Sequence, residues 1–513
     1  MDVEIIDEAE LHQTRYTGKK PTYYPIDDAH PFDLDGLVSS YSGRSLVDRL
    51  VPVISSCPTL TGQALQLALQ EILQMRDPNL YRAVLAAYEQ AATASKGQLP
   101  PSSDVAPTDQ KWIDETNQKN QADRTKLEVE LKTYTSNMIK ESIRMAHRDL
   151  GDFFRSIGDH ANSLKHHTKS REFCTTSQHV LDMCLSVLEL LVEHRNYPHI
   201  ATYVFKAEAA LDATASAARM SANAAAPTAP PAAAAANKEK MAADREKVQS
   251  KLDVALALSH LGQTQYEKAA TAFIKVGSIK SLGEWIGKMI APADIAVYAT
   301  LCALATFTRP AIRAQVLDND GFGAYIEQEP YVRELLEAYM GNRFKDVLAL
   351  LDKYSTRHSL DIHLASHMSI LTNLIRSRAL VLYFQPFASI KLERMSVAFG
   401  WSIEELEQHV VNLIQGGEIQ ARVDRQNKIL KAKETDQRAV LFSRAIKSGE
   451  QMQAANRKLL LRMRLYVTIP NPPRQQADLV VKAPKGQHQQ QHLGIMSMPP
   501  MTGDFYMDMG IGY

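Results

Sequence analysis

Four stretches of this chain repeat one arrangement: an apolar helical run, a short polar turn, a ring-bearing residue, and a second helical run. "SIGDHANSLKHHTKSREF", from Ser156, turns at Gly158-Asp159 before His160. "HRNYPHIATYVFKAEAAL", from His194, turns at Asn196 and resumes at Tyr197. "LGQTQYEKAATAFIKV", from Leu261, sets Tyr266, Ala269 and Phe273 along one face. "YMGNRFKDVLALLDKY", from Tyr339, does the same with Phe344, Val347 and Leu351 after Gly341. His160 and Tyr197 lie 37 residues apart, and Tyr266 and Phe344 lie 78 apart, one and about two periods of a helix-pair repeat. A lone helix pair cannot bury its apolar stripes, so the pattern predicts a mainly α chain built as a tetratricopeptide-like stack.

The 69 residues between Tyr197 and Tyr266 hold an insert, "ATASAARMSANAAAPTAPPAAAAANKEK" from Ala213. Its prolines forbid one continuous helix and its alanines offer little to a core, so a loop is expected near 212–240. A second polar loop is expected near 94–110, and "PNPPRQQ" with "GQHQQQHLG" mark a tail over 470–513 expected to be disordered.

The periodicity changes near residue 390. Leu392, Met395 and Phe399 keep helical spacing, and Ser402 with Glu405 forms a capping box. Ile403, Leu406, Val410, Leu413 and Ile414 make one apolar face, which Gly416-Gly417 ends. Ile419, Ala421 and Val423 then alternate with polar residues, Asp424 to Asn427 turns, and Lys428 to Leu430 begins a return strand. Helix, turn, helix and two strands predict a small winged helix after the stack.

Winged helices often bind DNA, but this one opens its second helix with Glu404, Glu405 and Glu407 and carries no Lys or Arg before Gly416. Those carboxylates would face phosphates. The 58 Lys and Arg equal the 58 Asp and Glu, so global charge steers the chain to neither nucleic acid nor an anionic membrane. The four cysteines lack CxxC spacing, as in a reducing compartment, and no apolar run reaches membrane-spanning length. Enzyme constellations are equally scarce. There is no GxxxxGK and no GxGxxG after a strand. "DIHLASH" spaces His363 and His367 as on a helix but lacks the zincin glutamate. His160, His166 and His167 read as a helix surface, and "LDNDGFG" (Asp318, Asp320, Gly321) has Val316 where a calcium loop needs an acid. No catalytic, metal or cofactor residue is assigned.

One long helix, about Asp436 to Val467, follows. Phe442, Gly449, Asn456 and Met463 are seven apart, and Ala445, Met452, Leu459 and Tyr466 fill the complementary positions, which makes a heptad seam. It either packs back on its own domain or joins a bundle with other chains; Asn456, able to fix register, favours the bundle. From Ala421 to Arg464 twelve basic residues stand against four acids. The run is either a solvated face or a contact for an acidic partner, with Arg422, Arg425, Lys428, Lys431 and Arg438 the candidates.

Longer motifs carry a resemblance. "RDLGDFFRSIGD" (from Arg148), "REFCTTSQHVLDMCLSVLEL" (Arg171), "DIAVYATLCALATFTR" (Asp294), "IRSRALVLYFQPF" (Ile375) and "EIQARVDRQNKIL" (Glu418) spread over 139–465. They resemble the PCI-domain family, scaffold subunits of the proteasome lid, the COP-nine signalosome and a translation initiation factor. The second and last motifs are more similar to the signalosome branch; the proteasome lid is the alternative, and a nucleic-acid-binding adaptor using 421–464 a second one. The insert and the Gln/His tail depart from the family pattern.

The resemblance implies an N-terminal tail at 1–35, helical repeats at 36–250, a PCI domain at 251–432 (repeats 251–382, winged helix 383–432), a bundle helix at 433–469 and the tail. It implies a non-catalytic scaffold, in the nucleus and cytoplasm, of the complex that removes a ubiquitin-like modifier from cullins. Partners would be other PCI subunits and the isopeptidase subunit through the bundle, with cullin-RING ligases as further candidates and no membrane. The expected contact residues are Ile419, Ala421, Val423 and Ile429 at an exposed sheet edge, and Phe442, Met452, Leu459 and Met463 on the terminal helix.

Overall fold

The four repeat turns share one backbone device. Gly158, Arg195, Thr264 and Asn342 have φ of 82°, 59°, 62° and 60°. In each case the following amide reaches back five residues: Asp159 N to Phe154 O, Asn196 N to Leu191 O, Gln265 N to His260 O and Arg343 N to Ala338 O, all 2.9 Å. The left-handed residue itself bonds three back, as Arg195 N does to Val192 O (3.0 Å). This is the Schellman cap, which satisfies the last carbonyls of one helix while turning the chain into the next. Met138 (φ 53°) and Gly417 (φ 76°) repeat it. The ring-bearing residue then starts the second helix of each pair: His160–Ser170, Tyr197–Ala224, Tyr266–Ile274 and Phe344–Lys353.

The computed structural model describes residues 23–24, 26–95, 99–101, 105, 109–224, 231–433 and 437–468. The described residues up to 433 form one compact unit and those from 437 a second. In the first, Leu34–Ser40, Gly43–Ser56, Thr61–Gln74 and Pro78–Ala94 pack around their own core of Leu46, Leu50, Ile54, Leu65, Val84 and Tyr88. The polar helix Gln110–Ser136 follows, then the pairs Lys140–Ser156/His160–Ser170, Ser177–Glu193/Tyr197–Ala224 and Pro231–Gly262/Tyr266–Ile274. Pro292–Thr306 is apolar and buried at nearly every position, as a helix covered on all sides must be. Pro330–Met340/Phe344–Lys353 and Met368–Phe384 complete the stack.

Three sequence expectations take another form. Helix continues to Ala224 and resumes at Pro231, so within the expected 212–240 loop helix covers all described residues. Alanine is the best helix former, and Pro231 stands at the first turn, where its missing N–H costs nothing. Residues 225–230 lie outside the described residues, as do 1–22 of the expected N-terminal tail, parts of the 94–110 loop and the tail from 470. Helix begins within the 1–35 tail, at Leu34, capped by Asp33 accepting from Gly36 N (2.9 Å). Finally, "DIHLASH" is a turn, not a helix. Asp361 accepts from the amides of His363 and Leu364 (2.9 Å each), His363 shares a hydrogen bond with Tyr197 (2.7 Å), and His367 with Tyr266 (3.2 Å). Those tyrosines begin repeat helices, so the two histidines are partners of the stack. The "LDNDGFG" stretch is a helix cap, with Asn319 Oδ1 accepting from Gly321 N (3.0 Å).

The N-terminal pack meets the stack through a buried polar cluster. Arg49, 3% exposed, donates to Tyr41 Oη (2.8 Å) and lies 3.5 Å from Asp294. Tyr41 donates to Asp294, and Tyr298 donates to Asp361 (2.7 Å). Burial opposes the charge on Arg49, but Tyr41, Tyr298, Asp361 and Asp294 around it hold its pKa above the ordinary value. A cavity of about 380 Å³ opens beside this cluster, lined also by Phe32, Glu329 and Arg357.

Candidate interaction surfaces

The winged helix comprises β1 (Ser389–Lys391), the helices Leu392–Phe399 and Ile403–Gln415, β2 (Ala421–Asp424) and β3 (Ile429–Ala432). Ser402 caps the second helix through the expected box: its Oγ accepts from Glu405 N, and Glu405 accepts from Ser402 N, both 3.3 Å. Leu406, Val410 and Leu413 are buried, and Glu404 and Glu405 are exposed at the helix start, where a recognition helix would need positive charge. The module does not stand apart: its Leu392, Met395, Phe399, Leu406 and Leu430 belong to the same core as Leu181 to Phe384 of the stack. Phe344 of the last repeat pair stacks on Phe399 (5.4 Å), with Tyr383 edge-on to both.

The strand order is β1-β3-β2, antiparallel throughout. Of the residues expected at an exposed sheet edge, Ala421 and Val423 are on edge strand β2, while Ile429 is not at an edge, because β3 is the central strand. β1 is the other edge; at three residues its alternation is too short for sequence to find it. Val423, Leu430 and Ile390 pair across the inner face. Ile419 precedes β2 and is 4% exposed, and Ala421 is buried, so these two anchor the strand from inside, while Val423 and Ile429 are half-buried. A neighbour meeting β2 would meet backbone N–H and C=O groups.

The five basic candidates separate. Arg422 and Lys431 are directly opposed on the outer face of the sheet. Arg425 reaches back to Glu407 (2.5 Å), and Lys428 sits in the turn with φ 51°. Arg438 lies in the second unit. Lys391, which sequence did not single out, shares the outer face across from Ile429.

In the second unit Gln437–Thr468 is one helix. Phe442, Met452, Leu459 and Met463 are 69%, 67%, 56% and 58% exposed. Leu441, Ile446 and Leu460 widen the seam into a band broader than a two-helix coiled coil requires. Tyr466 has its side chain outside the described residues. Among the described residues no group of His, Cys, Asp and Glu is arranged to hold a metal, and no helix is long and apolar enough to cross a membrane.

Comparison with known proteins closes on one family. The PCI domain family matches residues 351–434, and the family described as 26S proteasome subunit RPN7 matches 109–315. A proteasome relative, 26S proteasome non-ATPase regulatory subunit 6 of Oryza sativa, is 21% identical over 39% of this chain and 51% of its own. COP9 signalosome complex subunit 1b of Drosophila melanogaster is 33% identical over 84% of each chain. COP9 signalosome complex subunit 1 of Arabidopsis thaliana is 32% identical over 86% of this chain and 91% of its own. This chain, a helical-repeat stack with a PCI winged helix, belongs to the COP9 signalosome complex subunit 1 family.

Proposed function

We propose that the chain is a non-catalytic scaffold subunit of the signalosome, the complex that removes a ubiquitin-like modifier from cullins and so regulates cullin-RING ligases. The observation that carries this reading is similarity to signalosome subunits over nearly their whole length, against about half the length of the proteasome subunit. Two surfaces suit assembly. The β2 edge offers backbone hydrogen bonds to a neighbouring PCI subunit's sheet, and the apolar band of Gln437–Thr468 offers a bundle seam to other subunits, the isopeptidase among them. Residence in nucleus and cytoplasm belongs to the same proposal.

Affinity purification of the tagged chain, with identification of what accompanies it, tests the reading. Other PCI subunits and the isopeptidase subunit are expected. Proteasome-lid subunits in their place would sink it, as would cleavage of a modified cullin by the purified chain alone.

A further inference from the structure

We propose that the outer face of the three-stranded sheet binds an acidic, extended segment of a partner protein. The face is read from the register. Ser389, Lys431 and Arg422 form one row across the sheet, and Lys391, Ile429 and Asp424 the next. Lys433 continues β3 outward, its amide bonded to Gln420 O (2.9 Å). Lys391, Arg422, Lys431 and Lys433 are all exposed, and among the described residues none forms an ion pair. Asp424, the one acid of this face within the described strands, is engaged by its own turn, accepting from Gln426 N, Asn427 N and Asn427 Nδ2 at 3.2, 3.3 and 3.0 Å. Glu407, the nearby helix carboxylate, is taken by Arg425.

Directly opposed like charges weaken a strand pair, and Arg422 and Lys431 are such a pair. The fold gains nothing from them, and an anionic partner does. Arg422 and Lys431 face each other across strands, Lys433 follows Lys431 by two residues, and Lys391 lies diagonally to Lys431, spacings of roughly 5–8 Å, near the pitch at which every second side chain of an extended peptide presents itself. Half-buried Ile429, beside Lys391 in the second row, offers one apolar contact. A single-stranded nucleic acid would match the charge but needs stacking platforms, and the remaining side chains here are Ser389, Gln420 and Ile429. The chemistry therefore favours an acidic peptide. This stands apart from the assembly reading: a chain that co-purifies with no subunit and still binds the peptide fails that reading and keeps this one.

The test is fluorescence anisotropy with the full chain and three labelled probes. They are a dodecapeptide alternating Glu and Ser with a central Leu, the same peptide with Gln for Glu, and a twelve-residue oligothymidine. The Glu peptide should bind and the Gln peptide should not. The double variant Arg422→Gln/Lys431→Gln should bind roughly tenfold more weakly, since each exposed charge contributes modestly, yet melt at the same temperature or higher because repulsion is relieved. Lys126→Gln/Lys132→Gln, on the polar helix Gln110–Ser136, should bind as the parent does. If the double variant melts lower, Lys391→Gln/Lys433→Gln, which disturbs no opposed charge pair, carries the binding test. No binding of the Glu peptide, equal binding of the Gln peptide, unchanged affinity in both double variants, or tighter retention of the oligothymidine overturns the proposal.

Discussion

Single residues in this chain are governed by what burial does to charge. Arg49 has carboxylates from two distant segments around it, Asp294 and Asp361, and its guanidinium lies over the Tyr41 ring at 3.9 Å. Removing one member of a buried ionic group leaves the others without a counter-charge, at a cost of about 3–5 kcal/mol. Arg49→Ala should therefore lower the urea midpoint sharply, and a midpoint within error of the parent would refute that. The buried histidines set a pH dependence. Burial, with Arg357 nearby, lowers the pKa of His358 to about 3, and burial with Arg49 does the same for His363. Burial, then His147, brings His166 to about 4, and burial, then Arg155, does so for His167. An unfolded histidine titrates near ~6.5. Below that pH the unfolded chain takes up protons that the folded chain refuses. Stability is full above about 6.5, falls as pH drops toward 4, and loses at most about 1.4 kcal/mol per pH unit for each histidine. Melting measured at pH 7 and pH 5 should show the loss; an unchanged melting temperature would contradict it. The sequence could not show this chemistry: His363 and His367 are spaced as ligands, yet their tyrosine partners lie 166 and 101 residues away.

Elements were legible wherever periodicity wrote them, and the Schellman caps show where it stopped. The turns stand out because a polar break is followed by a ring, but of the four repeat caps only Gly158 announces its backbone. Arg195, Thr264 and Asn342 adopt positive φ without glycine, held by the two amide bonds of the cap. Thr264 is the least suited, because a β-branched side chain crowds the left-handed region. Thr264→Gly should stabilise the chain by up to about 1 kcal/mol, offset in part by the entropy glycine adds to the unfolded state. A small rise in melting temperature is expected, and a fall would show that the threonine side chain holds the turn. The capping box at Ser402 was legible for the opposite reason, since its partners are three residues apart. β1 was not, because three residues are too few for alternation to stand out and its pairing with β3 is set 38 to 42 positions later. The flanks of the insert are helical because alanines that contribute nothing to a core still favour helix, while its proline-bearing centre at 225–230 lies outside the described residues.

At the scale of the whole molecule the question is where the terminal helix buries its apolar band. A large apolar side chain taken from water contributes roughly 1.5–3 kcal/mol. Phe442, Met452, Leu459 and Met463, with Leu441, Ile446 and Leu460 beside them, all remain more than two-fifths exposed in the single chain. That much uncovered surface on one helix marks an interaction site, and its width, beyond one coiled-coil seam, fits more than one partner helix. Heptad spacing leaves two outcomes open, burial against its own domain or against other chains; the polar Asn456 in the seam, able to fix register, favours the second. Met452→Asp/Leu459→Asp/Met463→Asp places three charges in the seam. If the band meets other chains, the isolated variant should melt as the parent does, while co-purification with other subunits should be lost. Each alternative has a distinct reading. A variant that melts several degrees lower would show the band buried against this chain. A variant that still assembles fully would leave assembly to the winged helix, whose β2 edge these substitutions do not touch.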